Sequence, residues 1–358
     1  MPGTIRLHRA RCNVCGVTVQ SDHPWHVSTC DCGRLSLSGG PELRRVSWSA
    51  DPGASWSDLS DDAPDETGGG DVDVRPMTAD DVPAAEKVWY EAFSAMRTVY
   101  NLPVEERTPE GAARMEARIA HLLSSDPGGS WVAVDGEGSV VGLSQALVRD
   151  DLWILSLLGV SPACQDRGGG KTLLDAALSY GRETPRGLIL CSRDPRAARR
   201  YLRAGFDMHP SVTAWGLVDR RRVPATPNVR EGTAADLDLA AALDRKLRGG
   251  AHGVDLEHLL GEGCRLLVHP GRGYVLVRQA KPVFLAAHEE AEATELLWAA
   301  LARAGEGEAV EVNWITAAQQ WALRTVVEAG MALHPVGPVM VRGMSGPPPT
   351  YLPSGAYG

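Results

Sequence analysis

Regular alternation of hydrophobic and polar positions begins near residue 73 and defines a folded body. Period-two alternation predicts strands at 131–134 and 140–148, and an apolar run predicts a third strand at 153–160. The helices predicted in this region are 81–97, 109–124 and 171–184. The order expected up to residue 219 is a strand, two helices, three strands, a loop and helix, a strand, a helix and two strands. This order predicts an α/β fold built on a mixed sheet.

The body contains an internal repeat. Residues 74–81 recur in similar form as residues 229–236, and residues 204–210 recur as residues 329–335. We therefore expect two tandem units of similar fold. Their predicted bounds are 72–219 and 220–343, followed by a tail at 344–358. The tail is too apolar to stay free in water, so we expect it to pack on the body.

The glycine-rich stretch after the third predicted strand is the most informative part of the chain. Gln165, Gly168 and Gly170 form the pattern Gln-x-x-Gly-x-Gly immediately before a helix. Backbone N–H groups at such a helix start can hold a pyrophosphate. A P-loop does not fit, because Gln165 stands where its first glycine belongs, and a dinucleotide fingerprint does not fit, because Leu173 stands where its third glycine belongs. A glycine-rich turn without a ligand is the remaining alternative.

This stretch resembles the acetyl-coenzyme A loop of the GCN5-related N-acetyltransferases, the GNAT family. In that family a strand ending in Val-x-Pro precedes Gln/Arg-x-x-Gly-x-Gly/Ala, and Val160 and Pro162 complete the match. Residues 194–206 resemble the family pattern Asn-x-x-Ala-x-x-x-Tyr-x-x-x-Gly-Phe, with Asp194 in place of the asparagine. The resemblance covers residues 72–219 and implies the GNAT acyltransferase fold, with this unit as the catalytic domain.

The resemblance also implies a set of site residues. Tyr201 is the expected proton donor to the departing thiolate, and a packing role is its alternative. Asp194 either flanks the pantetheine arm or caps the helix that follows it. The other expected acetyl-coenzyme A contacts are Leu158, Gly159, Val160, Gln165, Asp166, Arg167, Gly168, Gly169, Gly170 and Lys171. The strand residues of this set are expected to supply the amide that stabilises the oxyanion.

The general base is not assigned by sequence. An amine must lose a proton to attack a thioester, and many relatives place a glutamate on a central strand for this purpose. The predicted strands 153–160 and 187–191 hold no carboxylate. Candidates outside these strands, acting directly or through a water chain, are Glu91, Asp150, Asp151 and His209.

The second unit lacks the glycine loop. Its predicted strand 282–287 passes through His288 directly into a helix at 289–304. That helix begins with the carboxylates Glu289, Glu290 and Glu292, which would repel a pyrophosphate at the same place. Thr325 is expected to stand where Tyr201 stands in the first unit. We therefore expect a degenerate unit that binds no coenzyme A and completes the acceptor cleft or stabilises its partner.

Four of the seven cysteines lie near the N-terminus, as Cys12-x-x-Cys15 and Cys30-x-Cys32. This spacing predicts a tetrahedral structural zinc site in a small zinc-ribbon-like domain at 1–48, with unligated thiols or disulfides as alternatives. His23 or His26 could replace one ligand. Residues 9–60 resemble a small uncharacterised Cys-rich domain of prokaryotes and phages. Since four cysteines leave no position for water, the metal would stabilise the domain and not catalyse.

Charge and hydropathy limit the partners. Much of the net charge of −9 comes from seven acids at 49–71, a stretch without Lys or Arg that predicts a flexible linker. The remainder is close to neutral, which argues neither for nor against nucleic acid. Residues 1–48 carry six Arg against three acids but have no aromatic stacking pattern, so nucleic acid is not an expected partner. No apolar run has the length of a membrane span, and no secretory signal is recognised, so we expect a cytoplasmic protein.

Two functions are compatible with these observations. The first is an acetyl-coenzyme A-dependent N-acetyltransferase in which a small-molecule amine attacks the thioester directly in a ternary complex. The alternative is a non-catalytic, zinc-bearing module that senses acyl-coenzyme A and docks a protein or nucleic acid.

Overall fold

The structure is a computed structural model, and it describes residues 8–21, 27–32, 35–38, 45–48, 56–58, 72–100, 104, 106–165 and 167–358. Chain contacts divide it into two units, Met1–Gly69 and Gly70–Gly358, called the head and the body below. Three residues named above, His23, His26 and Asp166, lie outside the described residues, as does most of the predicted linker.

The described part of the head consists of short strands. They are β1 (His8–Cys12), β2 (Thr18–Ser21), β3 (Val27–Thr29), β4 (Leu35–Ser38), β5 (Arg45–Trp48) and β6 (Trp56–Asp58). They form two three-stranded sheets, with orders β2-β1-β6 and β3-β4-β5. The strand β6 lies within the range predicted as flexible linker. Its antiparallel pairing with β1 satisfies backbone groups on the second edge of that strand, so the head sheet extends to residue 58.

The first copy of the body runs from residue 72 to residue 219. Its elements are β7 (Asp73–Pro76), α1 (Val82–Val99), α2 (Pro109–Ser125), β8 (Ser130–Val134), β9 (Val140–Arg149), β10 (Leu152–Val160), α3 (Gly169–Tyr180), β11 (Arg186–Leu190), α4 (Pro195–Arg203) and β12 (Asp207–Leu217). Up to α4 this order agrees with the predicted order. The expectation of two strands after α4 is wrong, because a single long strand follows it.

The second copy follows a similar order. Its elements are β13 (Arg230–Glu231), α5 (Leu237–Leu247), α6 (Val254–Gly261), β14 (Arg265–His269), β15 (Gly273–Arg278), β16 (Lys281–Ala287), α7 (Glu290–Leu301), β17 (Ala309–Thr316), α8 (Gln320–Glu328) and β18 (Ala332–Arg342), with β19 (Tyr351–Leu352) in the tail. None of the helices in the described ranges is long and apolar enough to cross a membrane.

The two copies exchange their last long strands. The main sheet has the order β17-β12-β18-β11-β10-β9-β8-β7, so β18 of the second copy lies between β11 and β12 of the first. Conversely, β12 lies between β17 and β18 of the second copy. The strand that the sequence predicted after β12 is therefore supplied by the other copy. Both exchanged strands gain hydrogen-bonded neighbours on each side, which makes one continuous sheet from two units.

The internal repeat is confirmed by matching helix starts. In the first copy, Arg75 donates to both oxygens of Asp81 at 2.8 Å, and that carboxylate also accepts from the backbone of Thr78 at 2.8 Å. In the second copy, Arg230 donates to Asp236 at 2.9 and 2.7 Å, and Thr233 repeats the cap at 2.8 Å. Each arrangement connects the first strand of a copy to its first helix.

Helices cover both faces of the main sheet, which are called the front face and the back face below. The front face is covered by α1 and α2, whose Val88 and Ile119 pack on Leu143 and Leu157. It continues into the second copy through other residues of β10 and β11, namely Ile154 and Leu188. The back face is covered by α3 and α4, which pack on Leu155 and Ile189.

The prediction that the tail packs on the body is confirmed. A second sheet has the order β13-β14-β15-β16-β19, so the tail strand adds to the edge of β16. Tyr351 is 1% exposed and Tyr357 is 3% exposed. The hydroxyl of Tyr351 donates to the Gly358 carbonyl at 2.5 Å and accepts from Arg248 Nη1 at 3.0 Å.

Candidate active site

The two central strands of the first copy separate halfway along their length. They pair in parallel only from Leu152 to Leu155 on β10 and from Arg186 to Ile189 on β11. A bulge between Leu155 and Leu157 then shifts the register of β10. Beyond that point β10 continues along β9 alone, while the Cys191 amide donates to the Pro338 carbonyl at 3.0 Å. In the described part of the chain, the N–H and C=O groups of β10 that point away from β9 beyond the bulge, at residues 158–160, have no strand partner and face an open gap.

The glycine loop lies at the far end of this gap. Gly168 is the N-cap of α3 and has a φ of 83°, a left-handed conformation that strongly favours glycine. The amides of Lys171 and Thr172 donate to the Gly168 carbonyl at 2.9 and 3.2 Å, whereas those of Gly169 and Gly170 have no hydrogen-bond acceptor among the described residues. A Cβ at Gly170 would lie 3.5 Å from Val160 Cγ2 and 3.6 Å from Arg200 Nη1. The loop therefore presents the amides of Gly169 and Gly170 beside a cation, next to the end of β10. This arrangement suits a pyrophosphate.

Two arginines at this place were missed by the sequence analysis. Arg200 reaches the loop from α4, as its distance from Gly170 shows. Arg196 Nη2 donates to Gln165 Oε1 at 3.1 Å and forms an ion pair with Asp194 at 2.8 Å. The signal was their spacing of four residues, which places both on one face of a helix that follows the gap. The predicted contacts Arg167 and Lys171 are exposed beside the same loop.

Asp194 caps α4, which is one of the two roles predicted for it. Its side chain accepts from the Arg196 amide at 2.8 Å, and α4 begins directly after it at Pro195. Such a cap orients α4 toward the gap. Gln165 Nε2 donates to the Val160 carbonyl at 3.1 Å, so the loop folds back on the end of β10.

Tyr201 lies on the back face, where β10 and β11 separate. It is 5% exposed and packs with Leu155, Ile189 and Cys191. Burial, reinforced by the nearby Cys191 and Asp194, raises the pKa of Tyr201 well above its usual range. The phenol is therefore protonated at neutral pH, as a proton donor must be, but the raised pKa makes it a weaker acid than an exposed tyrosine.

The four candidate bases separate clearly by position. Asp150 and Asp151 lie in the turn before β10, about 25 Å of strand away from its other end, where the glycine loop lies. Asp150 is also engaged there, since it accepts from Arg245 Nε at 3.1 Å and from the Ala251 amide at 2.9 Å. Both aspartates are therefore wrong as candidates, because they precede β10 and the glycine loop follows it, an order that the sequence itself shows.

Glu91 and His209 lie closer to the gap. Glu91 on α1 accepts from Ser161 Oγ at 3.3 Å, just after β10 ends. His209 pairs with Val339, which in turn pairs with Leu190 of β11, so its side chain shares the front face with both. The Nε2 atom of His209 is buried and has no partner among the described residues.

One contact spans the front of the gap and was not predicted. Tyr100, which follows α1, donates through its hydroxyl to the Arg193 carbonyl at 2.9 Å. Arg193 comes after β11, so the contact joins the end of α1 to the loop that leads into α4. No motif in the sequence indicates this pair, because the two residues meet only through the fold.

The second copy differs at the same place. The edge of β16 that corresponds to the open edge of β10 is paired with β19, through Leu285–Leu352 and Ala286–Tyr351. The Ala287 amide also donates to the Thr350 carbonyl at 3.1 Å. Backbone groups that face an open gap in the first copy are thus already hydrogen bonded in the second.

The ends of α4 and α8 show which residue of the second copy corresponds to Tyr201, and they correct the sequence-based alignment. The Phe206 amide donates to the Tyr201 carbonyl, and the Met331 amide donates to the Val326 carbonyl in the same way. Val326, and not Thr325, therefore stands in the position of Tyr201. The predicted alignment was one residue out of register. Either residue leaves the second copy without a phenol at this position.

The head brings its four predicted ligands together. The sulfur atoms of Cys12, Cys15, Cys30 and Cys32 all lie within 4.8 Å of one another. The Sγ–Sγ distances are 3.6 Å for Cys12–Cys32 and 3.3 Å for Cys30–Cys32, and none of the four cysteines forms a disulfide. Four sulfurs on one tetrahedral zinc ion stand about 3.8 Å apart. The cluster is therefore compatible with a structural metal.

Comparisons with known proteins agree with this geometry. Residues 96–206 match the sequence model of the acetyltransferase (GNAT) family, and residues 5–48 match a domain of unknown function (DUF7695). No curated protein matches the sequence.

Similar solved structures have the same fold. A protein from Pyrococcus horikoshii assigned as an acetyltransferase has a TM-score of 0.64 at 20% identity, over 80% of this chain and 96% of that one. A tandem GNAT protein from the clavulanic acid biosynthesis pathway has a TM-score of 0.50 at 16% identity, over 77% and 100%. A GCN5-related N-acetyltransferase from Sphaerobacter thermophilus has a TM-score of 0.50 at 12% identity, over 76% and 95%. The body thus has the tandem GNAT fold, and its first copy is an acetyltransferase domain of the GNAT family.

Proposed function

We propose that the chain transfers an acetyl group from acetyl-coenzyme A to a small-molecule amine, at one site per chain in the first copy. The observation that carries this proposal is the meeting of an open strand edge with a glycine loop at the start of a helix. In the second copy the matching edge is paired with β19, and the matching helix begins with carboxylates. Arg272 forms ion pairs with two of them, Glu289 at 3.2 Å and Glu292 at 2.6 Å.

The proposed reaction follows from the residues around the gap. The loop amides and Arg200 hold the pyrophosphate, and the open edge of β10 orients the acyl end. The amine nitrogen bonds to the thioester carbonyl carbon, and the resulting oxyanion accepts from an amide of residues 158–160. When the carbon–sulfur bond breaks, Tyr201 gives its proton to the thiolate. The proton of the attacking amine passes to Glu91 or His209, through water where the distance requires it.

A calorimetric titration combined with single-turnover kinetics tests the proposal. We expect one acetyl-coenzyme A site per chain and release of free thiol with at least one amine of a broad panel. Tyr201→Phe should lower the turnover rate roughly 100-fold while leaving the acetyl-coenzyme A affinity unchanged. Tyr180→Phe is the matched control, because the Tyr180 hydroxyl donates to Asp126 at 3.0 Å and lies on α3. Its turnover should equal that of the wild type.

The outcomes separate the two candidate functions. Two sites per chain, or none, would contradict the proposed site. Tight binding of acetyl-coenzyme A without turnover of any amine would instead favour the sensing module.

We propose further that the head holds one structural zinc ion through its four cysteines. Elemental analysis of the purified full chain should give one zinc per chain. Cys30→Ser should lose the metal, and Cys264→Ser, a buried cysteine in the body, should keep it. A zinc-free protein from metal-replete cells would contradict this assignment and leave unligated thiols.

A further inference from the structure

An arginine of α2 reaches the bulge at which the two central strands separate. Arg118 Nη2 donates to the Ser156 carbonyl at 3.1 Å and to Ser156 Oγ at 2.8 Å. Ser156 lies between Leu155, which packs on the back face, and Leu157, which packs on the front face. The guanidinium is therefore fixed on the front of the sheet, at the start of the gap.

Among the described residues, no carboxylate forms an ion pair with Arg118. Its Nε atom is buried without a hydrogen-bond partner, and its pKa is lowered by burial, with only Tyr357 nearby to oppose that effect. Tyr357 is a neutral phenol at ordinary pH, because burial raises its pKa to about 12. The guanidinium remains a cation, since arginine does not lose its proton in proteins.

Two other arginines of the first copy are neutralised by carboxylates, in contrast to Arg118. Arg107 pairs with Glu86 at 2.5 Å, and Arg149 pairs with Asp126 at 2.9 Å and with Asp255 at 2.7 Å. A half-buried cation without an anion is costly, because the lost hydration is not replaced. Arg118 is thus held in place by Ser156 but is not compensated in charge.

The remaining donors of Arg118 are suited to an anion. Nη1 makes no hydrogen bond with the described residues and, unlike Nε, is not sealed from solvent. A planar guanidinium presents parallel N–H groups that match the two oxygens of a carboxylate. Two residues of strand, about 7 Å, separate Ser156 from Leu158, where the proposed oxyanion donors begin. An amino group and a carboxylate on the same or adjacent carbon atoms would fit this spacing once the hydrogen bond length is included.

We propose that Arg118 binds the carboxylate of the acceptor, and that the acceptors are therefore amino acids and not polyamines or aminoglycosides. This inference rests on the proposed acetyl transfer in the first copy. Arg118 is a specificity-determining residue in this scheme, and it takes no part in proton transfer. Its carboxylate contact is present both before and during the reaction, so its loss should act on KM more than on kcat.

Kinetics with matched acceptor pairs test the inference. The probes are phenylalanine, glutamate and lysine, each compared with its α-carboxamide. For the wild type we expect kcat/KM to be at least about 10-fold higher for the acid of the preferred pair. Arg118→Met should lower kcat/KM for that acid roughly 100-fold, mainly through KM, and leave the amide unchanged. Arg118→Lys should retain part of the preference, because it keeps the charge but not the planar fork.

Two controls keep the result interpretable. Arg114→Met changes an exposed arginine one turn earlier on α2 and should leave both acceptors unaffected. Acetyl-coenzyme A titration of Arg118→Met should give the wild-type dissociation constant, which shows that the variant is folded. Equal use of acids and amides by the wild type, or equal losses for both in Arg118→Met, would overturn the inference. A failure to bind acetyl-coenzyme A at all would instead overturn the proposed function.

Discussion

The two copies of the body share their framework and differ at one strand edge. Both begin with the same Arg–Asp–Thr cap, and both end their last helix at a glycine in the left-handed conformation, Gly205 at φ 83° and Gly330 at φ 88°. In the first copy the edge of β10 beyond the bulge is open, whereas in the second copy the matching edge of β16 holds β19. The fold is therefore retained without the site. A few residues at one edge distinguish the copy with an open edge, where we propose that acetyl-coenzyme A binds, from the copy whose edge is closed by its own tail.

The largest expected effect comes from removing the tail anchor of the second copy. Tyr351 is 1% exposed, and its ring packs in the core shared by the two copies. Tyr351→Ala should lower the free energy of unfolding by about 3–5 kcal/mol, because it removes a buried aromatic side chain. Chemical denaturation of the full chain measures this loss.

Tyr351→Phe sharpens the interpretation. It keeps the ring and removes only the hydroxyl, which bonds to Arg248 and Gly358. The expected loss of unfolding free energy is about 1–2 kcal/mol. If Tyr351→Ala lowered the free energy of unfolding by less than Tyr351→Phe does, the tail would not be an integral part of the second sheet.

A smaller effect, on binding and not on folding, is expected at the open edge. Gly170→Val places two methyl groups at the start of α3, where a Cβ meets only ordinary contacts at 3.5 and 3.6 Å. The chain should fold, but acetyl-coenzyme A should bind roughly 100-fold more weakly, about 2.7 kcal/mol. Calorimetric titration gives this value directly.

The matched change in the second copy is Ala291→Val, in the first turn of α7 and exposed to solvent. It should leave the affinity for acetyl-coenzyme A unchanged. Equal losses in both variants would mean that the second copy also contributes to binding, which would remove the functional difference between the copies.

The sequence could predict those features that depend on residues close together in the chain. The glycine loop, the helix start at Asp194 and the recurrence of residues 74–81 as 229–236 all depend on residues close together in the chain, and all were predicted. The exchange of β12 and β18 depends on pairing between strands more than a hundred residues apart, which no local pattern encodes. The same limit explains Arg118, whose meeting with Ser156 depends on the packing of α2. Asp150 and Asp151 are a different case, because the sequence already places them before β10 and the glycine loop after it.

The smallest expected effect tests whether the two frameworks are truly equivalent. Arg75 and Arg230 lower the pKa of Asp81 and Asp236 to about 2 each, from the ordinary value near 3.9. A carboxylate with a lowered pKa in the folded state contributes stability that is complete above about pH 4 and is lost as the pH falls toward 2. Asp81→Asn and Asp236→Asn should each cost up to about 1 kcal/mol at pH 7, because asparagine keeps a cap acceptor but loses the ion pair with arginine, and less at pH 3. Unfolding curves at both pH values measure these losses.

The two losses should be equal, because the two caps have matching hydrogen bonds. They should add in the double variant, because the two caps share no hydrogen-bond partner among the described residues. A clear inequality would mean that the second copy has diverged in its framework as well as at its strand edge.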